Sequence, residues 1–183
     1  EMHKKIIENQ FSKQEKIQIG SNFKMPLTFE NKIKSINNSF QPAGETNAWK
    51  YLKSFLDKRV SGYAFDISKP LKSRNSCSRL SPYISWGNLN IRIVYQHLLE
   101  LKKKRKNLRS INAVLSRLHW HCHFIQKFEV DCSYENENIN KGFNTLSRKK
   151  NDKFIEAWEN GMTGYPLIDA NIRAVKETGW INF

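Results

Sequence analysis

From residue 44 onward, apolar side chains return at helical intervals. After "PAG", Ala48, Trp49, Leu52, Phe55 and Leu56 predict an amphipathic helix over 44–56, with Gly62 as its stop. Ser81 followed by Pro82 has the form of an N-cap with proline in the first turn, and Gly87 closes that short helix. From Asn90, another cap, Ile91, Val94, Tyr95, Leu98 and Leu99 line one side of a further helix. Ser110 is the expected cap of a helix over 110–128 that is apolar on two sides. Ile111, Val114, Leu115, Leu118, Cys122 and Ile125 share one face; Arg117, Trp120, His121, Phe124 and Phe128 share the other. Such a helix packs a core with one face and lines a neighbour or a cavity with the other.

Residues 129–150 read as a polar connection. Two more helices are predicted near 151–160, stopped by Gly161, and near 166–178, from Pro166 to Gly179. Asp169 and Arg173 in the second have the i,i+4 spacing of an ion pair. Residues 1–43, rich in Lys, Asn and Gln with weak periodicity, are expected to be a linker or loosely packed arm. No stretch alternates apolar and polar residues for long. The expected fold is therefore all-α.

Composition supports one buried core: 39% of the 183 residues are hydrophobic, with only 8 Gly and 5 Pro. The excess of 31 Lys+Arg over 17 Asp+Glu, a net charge of +14, favours a polyanionic partner or a phosphate-bearing cofactor. In "LKKKRKNLR" the plain reading is a solvated helix end, cations being favoured near a helix carboxyl terminus; contact with a phosphate backbone is the alternative. Three cysteines, Cys77, Cys122 and Cys132, form no disulfide framework and point to a reducing compartment. No apolar run approaches the ~20 residues that span a bilayer. The expectation is a soluble, cytoplasmic protein with no membrane partner. The chain opens on Glu and ends "TGWINF", which reads as a piece of a longer protein.

The densest candidate chemistry lies in "LHWHCHFIQ", residues 118–126. His119 and His123 share a helix side, with Cys122 one turn beyond His119, the corner of a zinc site. Nothing completes it: His3 and His97 belong to other segments, no CxxC or HExxH occurs, and Cys122 falls in the apolar stripe. No metal is expected. His121 beside Trp120, with Arg117 one turn before, puts a flat aromatic between two potential cations, a surface suited to a planar or anionic ligand as well as to core packing.

These segments resemble the flavin-binding helical domain of the cryptochrome/photolyase family. "GETNAWKYLKSFL" (44–56) is similar to its opening helix, and "CSRLSPYISWGNLNIRIVY" (77–95) to its phosphate-binding signature and following helix. "LSRLHWHCHFIQKF" (115–128) resembles the helix that passes flavin and damaged base, and "FIEAWENGMTGYPLIDANIRAVKETGW" (154–180) the Trp-rich turn with the helix after it. The resemblance implies a multi-helix orthogonal bundle, with 44–183 as the amino-terminal part of the FAD-binding helical domain, and FAD as cofactor. It places Cys77, Ser78, Arg79, Leu80 and Ser81 at the diphosphate, with hydroxyls, a guanidinium and free helix amides as donors, and adds Tyr63 and His121 as cofactor contacts.

Cys77 stands where the family usually has Thr, which removes one hydroxyl. Arg117, Trp120 and His121 fall on positions facing substrate or DNA. Trp120 matches the tryptophan lining the substrate cavity, His121 replaces a common arginine, and Arg117 replaces a glutamate that in many photolyases hydrogen-bonds the dimer. An acceptor exchanged for a cation changes what can be bound there. The implied function is light-driven repair of pyrimidine photoproducts, as part of a longer enzyme and not by this piece alone, with DNA, damaged duplex or single strand, as partner. A cryptochrome-like photoreceptor is the alternative. An antenna pigment would go with the family's amino-terminal α/β domain, which is not represented in these residues. Packing is the expected role of Trp158 and Trp180.

Overall fold

The computed structural model describes residues 26–35 and 39–182. Helix α1 (Leu27–Lys34) buries none of its residues. The chain then runs helically from α2 (Glu45–Ser54) through a π turn (Phe55–Arg59) and a 3-10 turn (Val60–Gly62) into α3 (Tyr63–Asp66). Short helices α4 (Pro70–Ser76) and α5 (Ser81–Ser85) follow, then the longer α6 (Ile91–Lys103) and α7 (Leu108–Val130). Two 3-10 turns precede α8 (Asp152–Glu159) and α9 (Pro166–Thr178). No strand occurs among the described residues, so the all-α expectation holds. Most of the predicted arm lies outside the described residues. Its end is tied to the helices: the Tyr83 hydroxyl donates to Pro42 O (2.7 Å) and Gln41 Nε2 to Arg79 O (2.7 Å).

One core joins the elements. Ala48, Leu52 and Phe55 from α2 and the π turn meet Val94 and Leu98 of α6 and Ile111, Val114 and Leu115 of α7, with Tyr83, Leu89 and Trp180 closing it. Each fully buried Leu, Ile or Phe contributes about 1.5–3 kcal/mol relative to exposure. Asn90 caps α6 as predicted, its side chain accepting from Arg92 N at 2.8 Å.

Several sequence expectations are corrected. Gly62 does not stop a helix: its φ is −84°, and helical backbone continues beyond it. A Cβ there would come within 3.2 Å of Asp66 Oδ2 and 3.3 Å of Ser76 Cβ, so the glycine permits α4 to close on this turn. Helix α5 begins at Ser81 itself, with no side-chain cap, because Leu80 is already helical (φ −91°, ψ −11°). Ser110 is not a cap either. It lies inside α7 and is buried, its hydroxyl donating to Ser61 O (3.1 Å) and accepting from Ala64 N (3.2 Å). There it satisfies two backbone groups of the irregular 61–64 turn and pins that turn to α7.

The core stripe of α7 ends near Leu118; Cys122 is half-buried and Ile125 is exposed, since the carboxyl half of the helix runs past its packing partners. Trp180 is buried as expected, whereas Trp158 is exposed on α8. Asp169 and Arg173 do not pair. The Asp169 carboxylate accepts from Thr163 Oγ1 (2.6 Å), Thr163 N (2.8 Å) and Gly164 N (3.1 Å), and Arg173 Nη1 donates to Gly161 O (2.7 Å). Both serve the 161–164 turn ahead of α9.

These bonds hold the Asp169 carboxyl below the ordinary carboxylate range, the Thr163 hydroxyl foremost. A depressed folded pKa contributes stability that is present above the unfolded value and lost as pH falls through the folded one. Asp169→Asn is therefore expected to melt at a lower temperature than the parent at neutral pH. That gap should shrink as pH falls below the ordinary value of 3.8, measured by paired thermal melts. A gap independent of pH would contradict the assignment.

Candidate functional site

Left-handed backbone at Arg79 (φ 57°) shapes the turn between α4 and α5. Ser78 and Ser81 face one hollow while Arg79 faces another. Non-glycine residues adopt this conformation at a cost of about 1–3 kcal/mol, so it persists where surrounding contacts enforce it. Here the Arg79 guanidinium lies 5.1 Å from the Trp180 ring and 5.9 Å from the Tyr51 ring, and its carbonyl accepts from Gln41. Arg59 holds the turn from behind. It donates to the carbonyls of Cys77, Ser78 (3.3 Å) and Tyr51 (2.8 Å), and its Nε to Ser54 Oγ (3.2 Å).

The serine side opens into a cavity of about 180 Å³ between α5, α6 and α7. Tyr63, Ser78, Ser81, Ser85, Arg117 and His121 supply its polar lining; Leu80, Val94 and Leu118 are among its apolar walls. Arg117 hydrogen-bonds the Tyr63 hydroxyl, whose pKa is pushed up to about 12 by burial, partly opposed by the Arg117 charge. The tyrosine is thus a neutral hydroxyl at any physiological pH. Hydroxyls and a guanidinium, with no carboxylate in the lining, suit an anionic group. The volume lies below the ~300–1,000 Å³ of pockets that hold whole ligands, so this cavity suits one anionic segment of a larger ligand.

Six of the residues singled out in the sequence, Tyr63, Ser78, Leu80, Ser81, Arg117 and His121, meet in this one cavity. The other three lie elsewhere. Cys77 is buried, which raises its thiol pKa, and its carbonyl is taken by Arg59. Arg79 points away from the serines, and Trp120 stands exposed on α7 beside His123 and Phe124 (ring centroids 6.0 and 5.6 Å). Ser85 was missed, although its i+4 spacing from Ser81 puts it on the same helix face. Arg59 carries no local signal, because its partners at Cys77 and Ser78 are 18 and 19 residues away.

The three histidines of residues 118–126 diverge. His119 is edge-on to Tyr95 (5.2 Å) inside the protein, His121 lines the cavity, and His123 packs on Trp120. No group of three His, Cys, Asp or Glu side chains that could hold a metal occurs among the described residues. A hollow of about 910 Å³ is an apolar groove along α9, with Trp158, Leu167, Ile168, Ile172, Val175 and Ile181 in its lining. It contains none of the candidate residues. No helix among the described residues is long and apolar enough to cross a membrane.

A helical domain with one cavity lined by hydroxyls and a guanidinium narrows the class, and comparison with known proteins agrees. Residues 114–183 match the family model for the FAD binding domain of DNA photolyase. A deoxyribodipyrimidine photo-lyase of Alkalihalophilus pseudofirmus is 31% identical over 84% of this chain and 31% of its own length. Cryptochrome-1 of Spalax judaei is 28% identical over 80% of this chain and 26% of its own length. Among solved structures, a class III photolyase from Agrobacterium tumefaciens superposes with a TM-score of 0.66 at 26% identity, over 76% of this chain and 28% of that one. A Synechocystis cryptochrome superposes with a TM-score of 0.68 at 25% identity, over 81% of this chain and 32% of that one.

The chain belongs to the cryptochrome/photolyase family, and the cofactor of this domain is FAD. It spans less than a third of the length of these curated relatives.

Proposed function

We propose that this chain is the part of a DNA photolyase that grips the diphosphate of FAD and presents the neighbouring face of α7 to a pyrimidine photoproduct in DNA. The observation that carries this reading is the single cavity in which Ser78 and Ser81 face Arg117 and His121. Bound FAD, reduced and excited by light, would supply the electron that splits the photoproduct and would take it back afterwards. The protein positions. Hydroxyls of Ser78, Ser81 and Ser85 would donate to diphosphate oxygens and the Arg117 charge would offset their negative charge, while Tyr63 fixes Arg117. Cys77 and Arg79 act indirectly, through the turn that aims the serines. Trp120, exposed one turn beyond Arg117, offers a flat surface for an unstacked base, and its neighbour His121 lines the serine cavity. A photoproduct must leave the duplex to reach that face, and a net charge of +14 favours the DNA backbone.

One observation favours the second reading, a photoreceptor without repair activity. Arg117, a donor already bonded to Tyr63, cannot accept a hydrogen bond from a dimer as a carboxylate does. The intact protein carrying this chain decides between them. Blue-light restoration of irradiated DNA, with tighter binding to lesion-bearing than to undamaged duplex at fixed salt, is the expected result. A flavin-loaded protein that repairs no photoproduct and shows no lesion preference would overturn the enzyme reading in favour of the photoreceptor.

A further inference from the structure

Behind the serine turn, on the side to which Arg79 points, lies a second hollow of about 350 Å³. Lys50, Tyr51, Ser54, Arg59, Arg74, Asn75 and Arg79 line it, four of them cationic and none acidic. Ion pairs among the described residues join Lys34, Lys69, Lys103 and Lys150 to acidic partners, and none includes these four cations. Aromatic rings hold the guanidinium groups in place. Arg59 and Arg79 each stand 5.9 Å from the Tyr51 ring, and Arg74 and Arg79 stand 5.8 and 5.1 Å from the Trp180 ring. A ring face attracts a cation without neutralising it.

Two further observations point to a missing counter-charge. Arg79 Nε is buried and finds no hydrogen-bond acceptor. Arg59 has its pKa lowered by burial and then by the Arg79 charge, so the pair repels across the hollow. Arg59 meanwhile spends its donors on backbone carbonyls, which fix its position and leave its charge uncompensated. Like charges gathered this closely in a partly buried site are stabilised by an anion that touches several of them.

We infer that Lys50, Arg59, Arg74 and Arg79 form a second anion site, separate from the serine cavity, that takes a phosphate group. The exposed side chains of Lys50 and Asn75 mark its opening to solvent. Free phosphate and a nucleic-acid phosphodiester share the required chemistry: tetrahedral oxygens with negative charge, matched by forked guanidinium donors.

Calorimetric titration of the 183-residue chain with inorganic phosphate, at ionic strength held constant with chloride, tests the site. Saturable binding is expected, weakened about tenfold in Arg74→Gln and, separately, in Lys50→Gln. Arg74 also packs on Trp180, whereas Lys50 is exposed, so Lys50→Gln keeps the test valid should the first variant fold poorly. Phosphate binding that is absent, or equally tight in a folded Lys50→Gln variant, would overturn the inference. A second titration adds a short single-stranded oligonucleotide to the phosphate complex. Displacement assigns the site to a nucleic-acid backbone and retention to free phosphate; both accord with the inference. No flavin is present in either titration, so the result stands apart from the proposed cofactor role.

Discussion

Arg59→Ala is expected to destabilise the protein by about 3 kcal/mol, because it strips donors from carbonyls on two separate segments at once. Arg59 bonds Tyr51 O on α2 and the carbonyls of Cys77 and Ser78 on the turn, and its Cζ lies 5.6 Å from the Phe55 ring in the core. At roughly 2–4 °C per kcal/mol for a chain of this size, the melting temperature should fall by about 6–12 °C. Arg59→Lys should recover less than half of that loss, since one ammonium cannot span acceptors that a planar fork reaches together. Flavin affinity should fall in both variants, as the serines lose their fixed aim. A melting temperature for Arg59→Ala within about 2 °C of the parent would show that the turn is held by other contacts.

Ser81→Asp separates binding from folding. Ser81 is exposed at the start of α5 and makes no capping bond, so a carboxylate there leaves the fold intact, and a negative charge in the first turn is mildly favourable. The same carboxylate faces the cavity proposed to receive the diphosphate. Like-charge juxtaposition of this kind costs several kcal/mol, and a loss of about 100-fold in FAD affinity is expected. Ser81→Ala, which removes one hydroxyl without adding charge, should lose only about fivefold. Flavin fluorescence titration of the three proteins, with their thermal melts, gives both readings. If Ser81→Asp binds FAD as tightly as the parent, the diphosphate lies elsewhere.

Periodicity and caps made much of the helical frame legible. Asn90 opens α6, Pro166 opens α9, and Gly179 closes α9 with φ 65°, each for a reason local to a few residues. The failures share a different cause. Gly62, Ser110 and Asp169 have the right chemistry for a helix stop, a cap and an ion-pair member, yet each is claimed by a tertiary partner: α4, the 61–64 turn and the Thr163–Gly164 amides. Local spacing cannot weigh those competitors.

The site divides along the same line. Arg117 and His121 are fixed to one face by helical period, but the meeting of that face with Ser78 and Ser81 depends on the left-handed Arg79 and on Arg59, whose partners are distant in sequence. Family resemblance supplied the association of the two stretches where periodicity could not. It also placed Arg79 at the diphosphate, whereas the guanidinium lies in the second hollow with Arg59.

Amide chemical-shift changes on addition of FAD test the central claim most directly. The account predicts that backbone signals of residues 78–85 on the turn and α5, and of 117–121 on α7, move together and saturate at one FAD concentration. Shifts confined to one of those stretches, or centred on the apolar groove along α9, would contradict it.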